Sequence, residues 1–99
     1  MDLKEVQKEV WRNKVEKGFN ITDVNKEFCL LYGEVAEAFD AYNKKKDDLG
    51  EELADIAIYL LGLSEMLGLD LEDEIMKKTE KNKKRVYKKV NGVSVRVKE

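Results

Sequence analysis

The stretches GEVAEAF (33–39) and EELADIAIYLL (51–61) each set two acids three residues apart into a strongly apolar helical pattern: Glu34 with Glu37, and Glu52 with Asp55. Four carboxylates beside apolar seams repel one another and resist desolvation, so a fold that gathers them needs a cation in their midst. The chain is constrained to helices that bury the seams while carrying the acids along their flanks. The four acids are a candidate metal site.

Helical periodicity runs through most of the 99 residues. Residues 2–17 put Leu3, Val6, Val10 and Trp11 on one side, and Gly18 supplies a stop. Thr22 is the expected cap of a second helix over about 23–45, with the seam Val24, Phe28, Leu31, Val35, Ala38 and Tyr42. The run KKKDD (44–48) ends it, and Asp48 with Glu51 has the form of a capping box for a third helix. Its seam is Leu49, Leu53, Ile56, Leu60, Leu63 and Leu67, closed by Gly68 as the residue after the cap. Ala54, Ile58 and Leu61 make this helix apolar on other sides too, which predicts a buried helix. Asp70 caps a fourth helix through about Arg85, with Leu71, Ile75 and Met76 expected to face inward. Short loops predict antiparallel neighbours.

Around Asn91-Gly92 the pattern changes to alternation, which predicts a hairpin with a type I′ turn, Val90 opposite Val93 and Val86 opposite Val97. Such a hairpin is marginal alone and should pack on the helices or on a partner. The reading is one all-α domain over 1–99: a four-helix bundle-like core over about 2–85, then a tail or short β-hairpin over 86–99.

Rotational phase links the two acidic pairs. At about 100° per residue, Glu52 lies roughly 60° to one side of the third helix's leucine seam and Asp55 roughly 60° beyond it, while Glu51 points away. Glu34 and Glu37 have similar offsets, in the same sense, from the second helix's seam. Antiparallel packing then brings both pairs to one cluster.

Composition removes several alternatives. A formal net charge of −2, with 40% charged residues, gives no basic field for a nucleic-acid polymer. MDLKEVQKEVWRNK lacks the apolar core of a signal peptide, and no apolar run is long enough for a membrane span, so a cytoplasmic chain is expected. The single cysteine, Cys29, sits in an apolar stretch and is expected as a buried structural thiol. A core of this size closes poorly alone, so self-association is expected. The chain has no histidine. A ferritin-like di-iron site, which uses Glu-x-x-His on two helices, therefore lacks its ligands. Oxygen donors alone favour Mg²⁺ or Mn²⁺, an ion that commonly completes its shell with phosphate oxygens. Lys78, Asn82 and Arg85, at i, i+4 and i+7 of the fourth helix, offer one face with an ammonium, an amide and a guanidinium for a polyphosphate. The bland alternative is a lysine-rich solvated helix end.

Taken in succession, GEVAEAF and EELADIAIYLLGLSEMLGLDLEDEIMKKTEKNKKR resemble the all-α nucleoside triphosphate pyrophosphohydrolases: the MazG-like proteins, the dCTP pyrophosphatases and, more remotely, the phosphoribosyl-ATP pyrophosphohydrolases. Their E-x-x-E, spacer, E-x-x-D pattern is filled by Glu34, Glu37, Glu52 and Asp55, with fourteen residues between the pairs. The G-L-D-L break and the K-x-x-x-N-x-x-R ending extend the likeness over roughly residues 23–86. Many MazG-like members carry a further acid just before the first motif glutamate; Gly33 stands here, as in the dCTP pyrophosphatase-like branch.

The resemblance implies a helical bundle assembled as a homodimer or homotetramer. It also implies Mg²⁺ on the four acids, which would be the catalytic residues, and Lys78, Asn82 and Arg85 on the triphosphate. The implied reaction is hydrolysis of a nucleoside triphosphate to the monophosphate and pyrophosphate. The residues alone leave open a non-catalytic helical interaction protein that keeps the fold. Trp11, Phe19 and Tyr32 are aromatic candidates for stacking on a base, or for packing.

Overall fold

Each of the four helices begins behind an aspartate, and three of those aspartates act as side-chain caps. The computed structural model describes residues 1–98, without the side chain of Lys98. Glu99, the end of the expected 86–99 tail, lies outside the described residues. Helix α1 spans Leu3–Lys17, and the Asp2 carboxylate accepts from the backbone N–H groups of Lys4 and Glu5. Gly18, at φ 70°, turns the chain away, and Phe19 N–H reaches back to Lys14 O at 2.9 Å.

Helix α2 spans Val24–Asn43 and is capped by Asp23, whose carboxylate accepts from Lys26 N–H at 3.0 Å. The expected cap was Thr22. Asp23 takes the role because Asn20 holds it from both sides: Asn20 Oδ1 accepts from Asp23 N–H, and Asn20 Nδ2 donates to Asp23 O.

Helix α3 spans Leu49–Met66. Asp48 precedes it at φ −92°, ψ 13°, and its side chain makes no capping bond, so the expected Asp48–Glu51 box does not form. An N-cap side chain reaches the orphan N–H groups from extended backbone, and Asp48 is not extended. Gly68 closes this helix at φ 69°, with Leu69 N–H bonded to Ser64 O at 2.8 Å. Asp70 then caps α4, Leu71–Lys84, by accepting from Asp73 N–H.

Helices α2 and α3 pack as an antiparallel pair, and α1 lies along the C-terminal half of α3. The apolar core is small: Ala38 and Ala41 from α2, Leu61 and Leu63 from α3. Among the described residues it is joined by Gln7, Lys14, Glu27 and Ser64, all buried. Gln7 bridges the α3–α4 turn, donating to Leu69 O at 2.8 Å and accepting from Leu71 N–H at 3.1 Å. Lys14 runs its stem against Gly62, where an added Cβ would stand 3.1 Å from Lys14 Cδ. Its ammonium reaches Glu27 Oε2 at 2.7 Å, with side-chain exposures of 10% and 1%. Asn20 Nδ2 donates to the second Glu27 oxygen at 3.1 Å.

Several expected burials are not met within one chain. Ile58 is 44% exposed and Leu53 55%, so α3 is open at two positions expected to be covered. Ile58 faces α1 across an open groove, which Val6 and Val10 also line. Ile75 and Met76, expected inward, are 46% and 65% exposed, because α4 meets the body mainly through α1. Cys29 is also exposed, contrary to expectation, since no described element covers that side of α2.

Strands β1 (Val86–Val90) and β2 (Val93–Lys98) form the hairpin, with Asn91 at φ 52° and Gly92 at φ 79° as a type I′ turn requires. Val90 pairs with Val93 as expected. Val86 pairs with Lys98 instead of Val97, because a bulge adds one residue between the Val86 and Tyr87 pairs. All of β1 is exposed. No described helix is long and apolar enough to cross a membrane.

The Lys14–Glu27 pair generates a stability prediction. Removing one partner leaves a buried charge unmatched, which typically costs about 3–5 kcal/mol. Glu27→Ala should lower stability by that order in urea unfolding, whereas Lys14→Met with Glu27→Leu should lose far less. Equal losses from the single and double variants would contradict this account of the pair.

Candidate metal centre

Antiparallel pairing of α2 with α3 sets Glu34 and Glu37 opposite the first turns of α3. Glu34, Glu37 and Glu52 each present a carboxylate oxygen, and these three lie within 4.8 Å of one another. Glu34 and Glu52 are partly buried, and Glu37 is exposed. Asp55 falls outside that trio and is exposed. Its charge is nevertheless felt by both Glu34 and Glu52. Phase and spacing thus located the cluster, with three acids at its centre and the fourth at its edge.

The trio is electrostatically unfinished. Oε2 of Glu34 and Oε2 of Glu52 are buried with no hydrogen-bond donor among the described residues. None of the four acids has a lysine or arginine within ion-pair distance among the described residues. Burial is the first cause that raises the Glu34 pKa above its ordinary value near 4.5, followed by the charges of Glu37, Asp55 and Glu52. Glu52 is raised likewise, by burial and then by Glu37, Asp48 and Asp55. Buried carboxylate oxygens without donors, close enough to share one ligand, fit a small hard cation.

A groove of about 800 Å³ opens beside the cluster. Val6 and Val10 of α1, Leu30 of α2 and Ile58 of α3 give it apolar walls, and Lys14 and Glu27 also line it. Asp55 and Tyr59 border it, so the groove and the acids share an edge. Tyr59 was not singled out from sequence. Its signal was its position one turn after Asp55, which places both on one helix face. Burial and the surrounding Glu34, Glu27, Asp55 and Glu37 raise its pKa, keeping the phenol a donor. Lys14 and Glu27 were also missed, although Lys14 continues the Leu3, Gln7, Val10 spacing on α1. Of the three aromatic candidates, Phe19 lines the groove, whereas Trp11 and Tyr32 are not among its lining residues.

Lys78 and Asn82 are exposed on α4, and Arg85, at its end, is partly buried. Asn82 Oδ1 accepts from Arg85 Nη1 at 3.2 Å, so these two do share a face. Because α4 is held mainly by α1, this face is not packed against the acidic helices. The link is at the other end of α4: Lys4 of α1 pairs with Asp70, with Asp73 at 2.9 Å and with Glu72 at 3.8 Å. The hydrogen bonds to Asp70 and then Asp73 raise the Lys4 pKa.

The raised carboxyl pKa values carry a sign. The folded state holds protons on Glu34 and Glu52 more tightly than the unfolded chain does. Their contribution is therefore most favourable below the ordinary value near 4.5 and is lost as pH rises through the raised values. Without divalent cations, Glu52→Gln should melt above wild type at pH 7, and the difference should close towards pH 4. A variant that melts below wild type at both pH values would contradict the cluster's strain.

The model of the MazG-like family matches residues 17–99, which takes in α2, α3, α4 and the hairpin and leaves most of α1 outside. No curated protein and no solved structure matches the chain. Both acidic pairs, and Lys78, Asn82 and Arg85, fall inside the matched span. With more than four-fifths of its length matched, the chain belongs to the MazG-like family.

Proposed function

We propose that the protein is a Mg²⁺-dependent hydrolase that converts nucleoside triphosphates to monophosphates and pyrophosphate. Membership of the MazG-like family suggests nucleotide pyrophosphohydrolase activity in general. The observation that carries the finer reading is the trio Glu34, Glu37 and Glu52, with two buried oxygens lacking donors. Structural acids of a solvated face would not be left in that state.

In this reading Glu34, Glu37 and Glu52 would hold the ion, with Asp55 outside the trio at the groove's edge. Bound Mg²⁺, or Mn²⁺, supplies neutralising charge for the phosphates and lowers the pKa of water. Glu34 and Glu52 use both their charge and their position to bind. Asp55, the acid outside the trio, is the carboxylate freest to accept a hydrogen bond from the attacking water and orient it. The water oxygen bonds to one of the two phosphorus atoms of the α–β bridge, the bond from that phosphorus to the bridging oxygen breaks, the water's proton passes by way of Asp55 to solvent, and monophosphate and pyrophosphate are released. Lys78, Asn82 and Arg85 match the negative charge of the departing phosphates and would hold them where the α4 face, which is not packed against α2 and α3 within one chain, is brought to the cluster.

The groove takes the nucleoside. Its apolar walls shelter a base, while Phe19 and the Tyr59 phenol supply a stacking face and a donor. The exposed apolar residues of α2 and α3, including Val35, Phe39, Tyr42 and Leu53, support assembly as a homodimer or homotetramer.

The test is pyrophosphate and monophosphate release from a panel of canonical and modified nucleoside triphosphates with Mg²⁺. Glu52→Gln and Asp55→Asn should each lower kcat/KM by on the order of 100-fold. Asp40→Asn, outside the cluster and paired with Lys44 and Lys46, should leave it unchanged. Mg²⁺ should also raise the melting temperature of wild type more than that of Glu34→Gln. Failure of wild type to turn over any substrate, or full activity in Glu52→Gln, would refute the proposal and leave the non-catalytic helical protein.

A further inference from the structure

Lys14 is a cation on the groove wall that the fold holds still. Lys26, which also lines the groove, is exposed, whereas the Lys14 side chain keeps only 10% of its exposure. Its stem lies against Gly62, and its ammonium is fixed by Glu27 Oε2 at 2.7 Å. Glu27 is held in turn. Its second oxygen accepts from the Asn20 amide, which is itself engaged on both sides by the backbone of Asp23.

An ammonium carries three donors, and the bond to Glu27 is the one that Lys14 makes among the described residues. The others are left for the groove. A buried N–H that meets no acceptor is costly, so a molecule filling the groove is selected by whether it offers one there.

Position decides which part of a nucleotide that is. Lys14 meets α3 at Gly62, seven residues beyond Asp55, which is a rise of about 10 Å along the helix. The acids are at the Asp55 end of the groove, and on the hydrolase reading the phosphates stay with them. The Lys14 end is left to the base. Charge supports the same order: Glu27 already neutralises Lys14, so a phosphate gains little there, whereas a neutral carbonyl oxygen needs only a fixed donor. Tyr59, half-buried on the same wall, adds a phenol that stays a donor. An exocyclic amino group placed against Lys14 would set donor against donor.

We propose that Lys14 is a specificity-determining residue: its ammonium, fixed by Glu27, donates to an oxo group of the base and selects bases that carry a carbonyl where others carry an amino group. Lys14 lies outside the span matched by the family model, so membership of the family gives it no role. The inference rests on the hydrolase reading for the identity of the ligand, and it is tested by binding so that the two fail separately.

Equilibrium binding is measured with Mg²⁺ and non-hydrolysable α,β-imido analogues in pairs that differ at this group: dUTP against dCTP, and dITP against dATP. Wild type should bind the oxo member of one or both pairs at least about 10-fold more tightly. The pair that shows it tells whether the base is a pyrimidine or a purine. Lys14→Met with Glu27→Leu, the replacement expected to keep the fold, should lose the preference while holding the amino analogue within about threefold of wild type. No oxo preference in wild type, or a preference that survives the double substitution, overturns the proposal. Equal weakening of both members overturns it too, by making the buried pair structural only.

A second readout needs no variant. In protein isotope-labelled at the lysine ζ nitrogens, the Lys14 magnetic resonance signal should shift with the oxo analogue and stay in place with the amino one. Identical responses to both, or none to either, overturn the proposal. Turnover without the preference leaves the hydrolase reading standing and Lys14 without this role; the preference without turnover does the reverse.

Discussion

Packing α2 against α3 forces Glu34, Glu37 and Glu52 into one another's field, and much of the molecule follows from that repulsion. Each acid is on a helix whose other positions bury apolar side chains, so the cluster cannot disperse without undoing the pairing of the two helices. Burial raises the pKa values of Glu34 and Glu52, and two of their oxygens find no donor among the described residues. Such groups stay in a native structure when something binds them. The proposed cation relieves the repulsion that the fold creates, which links assembly of the α2–α3 pair to the chemistry assigned to it.

The rest of the body keeps that pair in place with little apolar material. Ala38, Ala41, Leu61 and Leu63 are a small core for a chain of 99 residues. Polar groups take positions that larger domains fill with hydrocarbon: Gln7 ties α1 to the α3–α4 turn, and Lys14 with Glu27 and Asn20 ties α1 to the start of α2. These contacts are directional, so they fix how α1 lies along α3. The groove between the three helices follows from that placement. The Lys4 cluster does the same for the start of α4, leaving the rest of that helix to extend beyond the body.

Helices, caps at Asp70 and Gly18, the I′ turn and the acidic cluster were legible because each depends on local spacing. Phase alone put Glu52 beside the seam and Glu51 away from it, and the acids gather accordingly. What sequence missed depends on neighbours distant in the chain. Thr22 and Asp23 are equivalent as caps by residue type, and Asn20 decides between them. Asp48 has the right identity for a cap and the wrong backbone angles. Lys14 and Glu27 look like surface charges until α1 meets α2, and Tyr59 looks like packing until the groove exists. Ile75, Met76 and Cys29 carry apolar signals that say only that a face is to be covered. They do not say that the same chain will cover it.

The central claim is that the α2–α3 acids are one cation site facing a nucleotide groove. Anomalous diffraction from crystals grown with Mn²⁺ and a non-hydrolysable nucleoside triphosphate measures this directly. The account predicts an anomalous peak bounded by carboxylate oxygens of Glu34, Glu37 and Glu52, with the triphosphate oxygens on its open side and the base in the groove beside Tyr59. Density for the nucleotide elsewhere, or no Mn²⁺ peak among those three glutamates, would contradict it.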